Sequence, residues 1–268
     1  MTTTSFRPTK IERSLRGGCL TLTIDNPAAR NPLADETAAE LTAELAAADI
    51  APDVRVVVLT GAGEHFSAGG NLNQLLANVE QGVGGHYSQG AHWVDLFRTL
   101  MYLSKPTICK VRGAAMAGGC GLVAASDFAI AADDARFGLP EVKIGLFPAQ
   151  ILPAVFRAVG RRHALDLALT GRTISAIEAQ EIGLINRAVA PSVLDQEVAL
   201  LVDQLVSVGP LTMAMGKRAF NQLTELDLRA ALEAARDLRL PFLGSPELRS
   251  GIEQFMSRRN GAEPEENR

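Results

Sequence analysis

Residues 115–122 read AMAGGCGL, an uncharged apolar stretch that contains Gly118, Gly119 and Gly121. Each glycine inside a helix or strand costs about 0.5–1 kcal/mol relative to alanine, because glycine loses more backbone freedom on folding. The stretch follows residues 106–113 (PTICKVRG), an apolar run that predicts a strand. Three glycines directly after this strand indicate a tight loop followed by the start of a helix. Because glycine has no Cβ, a ligand could approach the backbone closely there.

A second turn of the same kind lies earlier in the chain. Residues 54–60 (VRVVVLT) predict a strand buried on both faces, and residues 60–75 (TGAGEHFSAGGNLNQL) supply glycines and a helix start. The first N–H groups of a helix have no intrahelical partner, and the helix dipole is positive there. One N–H from each loop can therefore stabilise negative charge on a single oxygen. The alternative is that these glycines only permit tight turns and close packing.

The remaining pattern predicts strand–helix units followed by helices. The predicted elements before residue 140 are a hairpin at 11–25 around Gly17-Gly18, a helix at 34–50 with Leu41, Leu45 and Ala48 on one face, and a strand at 127–133. Those after it are a helix capped by Ser175 and Glu178 and ending near Gly183, a helix striped by Leu194, Val198, Leu201, Leu205 and Val208, and a helix opened by Ser245-Pro246 with Leu248, Ile252 and Phe255 inward. This order predicts an α/β core with a helical C-terminal layer.

Composition excludes several classes of protein. Of 268 residues, 47% are hydrophobic and 21% charged, which is typical of a globular chain. The net charge of −4 argues against nucleic acid as the main partner. We find no signal peptide and no apolar run near the ~18 residues that span a bilayer, so we expect a cytoplasmic protein without membrane contact. The odd cysteine count, three, predicts buried free thiols.

Two segments resemble the signatures of one known family. GEHFSAGGNL at 63–72 and GAAMAGGCGLVAASDFAIAADDARFGLPEVKIGLFP at 113–148 are similar to the two motifs of the crotonase (enoyl-CoA hydratase/isomerase) family. The resemblance extends from about residue 10 to residue 260. It implies a spiral of ββα units at residues 1–200 that carries the site, and a helical trimerisation region at 201–268, packed on the core or on a neighbouring subunit. The polar tail from about residue 260 is expected to be disordered.

The family resemblance also implies an acyl-CoA substrate and a homotrimer or homohexamer. By motif position, the N–H groups of Gly70 and Gly118 would bind the thioester carbonyl, and Glu141 would move protons. Coenzyme A would contact Arg30, Ala68, Asn71 and Leu72, although Asn71 stands where the family usually has aspartate. Coenzyme A enters as part of the substrate, so no separate cofactor and no metal are expected.

The proton chemistry depends on an acidic residue that this chain lacks. Family hydratases use two glutamates, and the first would fall at Gly121. A lone Glu141 favours a Δ3-Δ2-enoyl-CoA isomerase with one proton shuttle. However, residues 118–137 and 145–155 resemble the branch that hydrates branched glutaconyl-CoA thioesters. We therefore predict a lyase that hydrates a branched, carboxylated enoyl-CoA of the 3-methylglutaconyl or isohexenylglutaconyl type.

The segment at 84–97 is where the family's variable active-site helix should lie. His86, His92 and Trp93 there are candidates for polar contacts with the substrate or water, and Gly121 is a candidate pocket residue.

Other functions remain open at this point. A non-catalytic protein of the same fold is one, and a dehalogenase or decarboxylase on this scaffold is another. A dinucleotide-binding oxidoreductase is suggested by G-x-G after a strand, although Phe66 stands where the third glycine is required. A serine hydrolase using Ser67 would need a glycine where His65 stands.

Overall fold

The computed structural model describes residues 8–80 and 82–260, with the side chains of 82–89 and 259–260 outside the described part. The chain divides into two compact units, with the boundary between Val206 and Ser207. Our predicted boundary at 200/201 lies inside a helix, Leu194–Ser207, which continues beyond it. The predicted disordered tail falls beyond the described residues.

The first unit contains two sheets. The strands are β1 (Lys10–Arg16), β2 (Cys19–Asp25), β3 (Val56–Gly61), β4 (Thr107–Val111), β5 (Ala114–Met116), β6 (Phe128–Ala132), β7 (Arg136–Gly138), β8 (Thr173–Ser175) and β9 (Arg187–Val189). Six of them form one sheet in the order β1-β2-β3-β4-β6-β9, and β5-β7-β8 form a smaller one. In the large sheet β1 and β2 are antiparallel, as the predicted hairpin requires, and the other pairs are parallel.

Helices accompany the sheets within the first unit, and the second unit is helical. In the first unit they are α1 (Asp35–Ile50), α2 (Leu72–Glu80), α3 (Gly82–Tyr102), α4 (Gly118–Ala125), α5 (Leu152–Thr170), α6 (Ala176–Glu181) and α7 (Leu194–Ser207), with 3₁₀ helices at Pro27–Ala29 and Pro140–Ile144. In the second they are α8 (Pro210–Thr224), α9 (Leu228–Leu238), α10 (Leu240–Leu243) and α11 (Pro246–Asn260). The α/β core and the helical C-terminal region that we predicted are both present.

Parallel pairing brings the two glycine loops to the same edge of the large sheet. β3 and β4 are adjacent and parallel, with Val57 opposite Thr107 and Thr60 opposite Lys110. The carboxyl ends of both strands therefore meet at one edge, and the segment after each strand leaves from it. All strand residues of β3 from Val56 to Thr60 are buried, as predicted for a strand covered on both faces.

Apolar residues on both faces of the sheet account for the core. The predicted face of α1, Leu41, Leu45 and Ala48, is fully or almost fully buried in the main cluster. On the other face Leu194, Val198 and Leu201 of α7 are buried with sheet residues. The last predicted member of that stripe, Val208, lies beyond the helix, because α7 ends at Ser207.

The capping box is formed only in part. The Ser175 hydroxyl accepts a hydrogen bond from the N–H of Glu178 at 3.1 Å, as predicted. The carboxylate of Glu178 instead accepts from the guanidinium of Arg172 at 2.6 Å. A nearby arginine therefore replaces the backbone partner that a complete box would use.

The three cysteines are free, as predicted. Cys109 and Cys120 are buried, and burial raises the pKa of each thiol to about 12. Burial also raises the pKa of Cys19. All three are therefore protonated thiols near neutral pH.

The second unit leaves many apolar side chains exposed. We predicted that Leu248, Ile252 and Phe255 of α11 face inward, but they are 37%, 47% and 69% exposed in the single chain. They line an apolar cavity of about 450 Å³ within this unit. The prediction was wrong because periodicity identifies an apolar helix face without identifying what covers it.

Among the described residues no single helix is long and apolar enough to cross a membrane, although α7 and α8 meet the length and composition criterion when taken together.

Candidate active site

The first glycine loop, residues 60–75, is held in place by two buried polar side chains. The Nδ2 group of Asn31 donates to the carbonyl oxygens of Ala62 at 2.8 Å and His65 at 2.7 Å. The hydroxyl of Ser67 donates to the carbonyl of Asn31 at 2.8 Å and accepts from the N–H of Gly69 at 3.1 Å. Both side chains are fully buried, so these bonds fix the loop backbone. A hydroxyl engaged in this way is not placed as a nucleophile.

The second glycine loop, residues 115–122, lies directly against the first. The N–H of Ser67 donates to the carbonyl of Ala114 at 2.9 Å, and the N–H of Met116 donates back to the carbonyl of Ser67 at 3.0 Å. Gly69 has φ +99°, and a Cβ there would lie 2.8 Å from the Cβ of Ala117. Only glycine permits this approach, which joins the loops into one structure.

Ala117 makes a strained turn into α4. Its φ of +49° and ψ of −121° are rare for a residue with a side chain, and such geometry costs about 1–3 kcal/mol. The turn is held because the N–H of Ala117 donates to the carbonyl of Gly138 at 2.9 Å, beside the pairing of β5 with β7. The next residue, Gly118, then opens the helix.

Both residues that carry the predicted oxyanion donors, Gly70 and Gly118, lie next to Leu33. The backbone of Leu33 forms a parallel bridge with Gly70, and its N–H donates to the carbonyl of Gly69 at 2.8 Å. Its side chain lies 3.4 Å from the position that a Cβ on Gly118 would occupy. Within the described part of the chain, neither Gly70 N–H nor Gly118 N–H donates to a backbone carbonyl. The space at the Cβ position of Gly70 is open within 4 Å.

Glu141 lies beside the same helix. It belongs to the 3₁₀ helix that follows β7, three residues after Gly138, which bonds to Ala117. Its carboxylate is near enough to Cys120, in the first turn of α4, to raise the pKa of that thiol. The oxygen Oε2 is buried and has no hydrogen-bond partner among the described residues. Burial raises the pKa of the Glu141 carboxyl, and a bond to its own backbone offsets part of the rise.

Gly121, where the family's first glutamate would fall, is covered by apolar side chains. A Cβ at this position would lie 2.7 Å from Cγ2 of Ile151 and 2.9 Å from Cζ of Phe97. A longer side chain would require both neighbours to move. The space that the side chain of the first glutamate would occupy is therefore filled by Ile151 and Phe97. Gly121 itself is buried beneath these two residues.

Trp93 lies over the start of α4. Two atoms of its six-membered ring, Cη2 and Cζ3, are 2.9 Å from the Cβ position of Gly118. Its Nε1–H donates to Oδ1 of Asp35 at 2.9 Å, so the single donor that we expected to face substrate or water is engaged. His92 is exposed, and the side chain of His86 lies outside the described residues.

The residues predicted to contact coenzyme A lie in or next to the first glycine loop. The carbonyl of Arg30 accepts from the N–H of Ala68 at 2.8 Å, which brings these two together, and the Arg30 side chain is exposed. Leu72 is 63% exposed. The carboxamide of Asn71 accepts from the N–H of Gln74 at 3.3 Å and so caps α2. An aspartate would cap the helix equally, so asparagine preserves this structural role.

Several residues that shape the site were missed from the sequence. They are Asn31, Leu33, Asp35, Phe97, Ala117 and Ile151. The sequence around these residues predicts only local structure. Asn31 is typical of a turn, and Asp35 is typical of the first turn of a helix. Apolar residues such as Phe97 are predicted only to be buried in the core. Local patterns of this kind do not predict which residues come into contact across the fold.

The arrangement suits reactions in which negative charge develops on a carbonyl oxygen, since free main-chain N–H groups and a carboxylate of raised pKa lie around the same helix start. The enoyl-CoA hydratase/isomerase family model matches residues 15–262, and the chain belongs to this family.

Individual relatives agree. A 2,3-dehydroadipyl-CoA hydratase of Escherichia coli K12 is 34% identical over 242 residues, covering 90% of this chain and 92% of that one. A crotonyl-CoA hydratase of Syntrophomonas wolfei is 33% identical, covering 89% and 91%. The crystal structure of an enoyl-CoA hydratase of Mycobacterium smegmatis matches with a TM-score of 0.90 and 32% identity, covering 94% and 97%.

These matches confirm the crotonase fold and an enzyme of the enoyl-CoA hydratase type. They contradict the dinucleotide-binding and serine hydrolase alternatives. The assignment of individual site residues stays a prediction.

Proposed function

We propose that this protein hydrates a branched, carboxylated 2-enoyl-CoA, using Gly70 and Gly118 as oxyanion donors and Glu141 as the proton carrier. The observation that carries the proposal is the buried Oε2 of Glu141, which lies beside the helix that Gly118 opens and has no hydrogen-bond partner in the described part of the chain. A carboxylate with a raised pKa can both accept and return a proton near neutral pH.

One carboxylate is sufficient for the proton balance of hydration. Water adds through its oxygen to C3 while Glu141 takes one of its protons, and the electron pair of the C2=C3 bond moves toward the thioester. The resulting enolate oxygen is stabilised by the N–H groups of Gly70 and Gly118. Glu141 then returns the proton to C2, so that the product has gained one water and the enzyme is unchanged.

Two arguments support a substrate that carries its own carboxylate. The Escherichia coli relative is named for 2,3-dehydroadipyl-CoA, a thioester with a free carboxylate at its far end. In this chain position 121, where the family's first glutamate would fall, is a glycine packed under Ile151 and Phe97, so that place carries no enzyme carboxylate. A second enzyme carboxylate there would repel an acidic substrate.

Labelled water distinguishes hydration from the alternative reactions. We expect 3-methylglutaconyl-CoA incubated in heavy-oxygen water to gain label at C3, with a higher kcat/KM than crotonyl-CoA. Label that enters crotonyl-CoA faster would retain hydration but contradict the carboxylated substrate. Failure of both thioesters to gain label would contradict the proposed hydratase.

The second candidate is a Δ3-Δ2-enoyl-CoA isomerase, which Gly121 favours because isomerisation needs only one proton shuttle. It predicts that a 3-enoyl-CoA becomes a 2-enoyl-CoA without label from water. A chain that leaves every thioester unchanged would instead favour a non-catalytic role.

We also propose that the chain works as a homotrimer or homohexamer. Support comes from the apolar side chains that the second unit leaves exposed, including Phe220, Leu228, Leu232 and Phe255 at 67–77%. Light scattering should give three or six times the chain mass of 28.5 kDa. A monomer at micromolar concentration would contradict the proposal.

A further inference from the structure

The indole of Trp93 is held at one edge and on one face. Its Nε1–H donates to Oδ1 of Asp35 at 2.9 Å. Its ring stacks on Phe97, with ring centroids 6.2 Å apart and an angle of 26° between the planes. A hydrogen bond at one edge and an aromatic contact on one face leave the ring little freedom to rotate.

The ring lies beside Gly118, whose N–H is a predicted oxyanion donor. Its Cη2 and Cζ3 atoms lie 2.9 Å from the Cβ position of Gly118, and Leu33 lies 3.4 Å from the same point. Phe97, on which the ring stacks, lies in the same way over Gly121. Trp93 and Phe97 therefore form one aromatic wall along the first turn of α4.

Asp35 is itself held from a third helix. Its N–H donates to Oε1 of Gln74 at 2.9 Å, and its Oδ2 accepts from Nδ2 of Asn78 at 3.4 Å. Both partners belong to α2, so Asp35 joins the start of α1 to α2 and, through Trp93, to α3. The backbone of Asp35 and its carboxylate are therefore both bonded to α2, the carboxylate through one long hydrogen bond.

We propose that Asp35 is a positioning residue, which holds Trp93 against Gly118 so that the indole keeps water away from the oxyanion site. This inference rests on the proposed function, since it assumes that the N–H of Gly118 binds the thioester oxygen. A hydrogen bond to that oxygen is stronger when water is excluded. If the anchor is lost, the ring rotates, water enters, and the enolate is less well stabilised while coenzyme A contacts are unaffected.

The test compares Asp35→Ala with Asp35→Asn, whose amide oxygen can still accept from the indole. We expect D35A to lower kcat for enoyl-CoA hydration about 10-fold with KM changed less than about 2-fold, and D35N to stay within about 3-fold of wild type. Glu40→Ala is the matched control: it removes an exposed carboxylate from the next turn of the same helix. Its kcat should be unchanged.

Fluorescence gives a readout independent of activity, because Trp93 is the only tryptophan in the chain. Acrylamide should quench its emission more steeply in D35A than in wild type, D35N or E40A. The proposal is overturned if D35A keeps its kcat, if D35N loses as much as D35A, or if quenching is the same in all four proteins. Absence of hydration in the wild type would instead contradict the proposed function, while quenching would still report whether Asp35 holds Trp93.

Discussion

Replacing Glu141 by glutamine is expected to lower kcat for hydration by about 10²–10⁴-fold, the usual contribution of a positioned acid–base group. Glutamine keeps the size of the side chain but neither accepts nor returns a proton. The rate is measured as loss of enoyl thioester absorbance together with label from heavy-oxygen water. Glu181→Gln, on the exposed surface of α6, is the control and should keep full activity.

The same substitution should change how stability and rate depend on pH. Because burial raises the pKa of Glu141, the folded protein favours the protonated carboxyl, and stability falls as pH rises from the ordinary carboxyl pKa through the raised one. The E141Q variant lacks this loss of stability. Its free energy of unfolding should therefore rise relative to that of the wild type as pH increases. In wild type, kcat/KM should fall as pH drops through the raised pKa, since the base becomes protonated.

Either of two results would contradict this role for Glu141. One is an E141Q variant that retains more than about a tenth of the wild-type kcat, which is too small a loss for an acid–base group. The other is an E141Q variant whose stability relative to wild type does not change with pH.

Replacing Gly118 by alanine is expected to lower kcat about 10²-fold, since small displacements of a reacting group are costly. The new Cβ would lie 2.9 Å from the Trp93 ring, so either the ring or the helix start must move. Movement of the helix start displaces the N–H that we assign to the thioester oxygen. Steady-state kinetics and the affinity for a saturated acyl-CoA measure the effect, which should fall mainly on kcat.

The control for Gly118→Ala is Gly216→Ala in α8, where no described atom beyond the adjoining helix backbone and chain neighbours lies within 4 Å of the new Cβ. Alanine favours a helix over glycine by about 0.5–1 kcal/mol, so this variant should be slightly more stable and fully active. A G118A variant as active as G216A would show that the N–H of Gly118 does not bind the reacting oxygen.

The elements of the fold could be predicted from the sequence because their signals are local and repeated. The hairpin at Gly17-Gly18 and the buried strand β3 follow from turn residues and from a β-branched run. Helix α1 follows from apolar spacing, and its predicted face is buried. Where periodicity alone was used to infer burial, as for Phe255, it failed, since a helix face carries no information about its partner.

The composition of the site was less predictable, for a physical reason. The motifs predicted Gly70, Gly118 and Glu141 as site residues. In the fold, Gly70 and Gly118 both lie next to Leu33. The sequence could not reveal that Ile151 and Phe97 fill the space at Gly121, because that contact depends on how α3 and α5 pack on α4. It also could not reveal that Asp35 takes the only donor of Trp93, 58 residues away.

The proposed reaction requires two main-chain N–H groups that bind one thioester oxygen near Glu141. The direct measurement is a crystal structure of the wild-type protein with a bound saturated acyl-CoA. We predict that the thioester oxygen lies about 2.7–3.1 Å from both Gly70 N and Gly118 N, with the Glu141 carboxylate facing C2 and C3. A thioester bound away from either N–H, or a Glu141 carboxylate turned into solvent, would contradict the account.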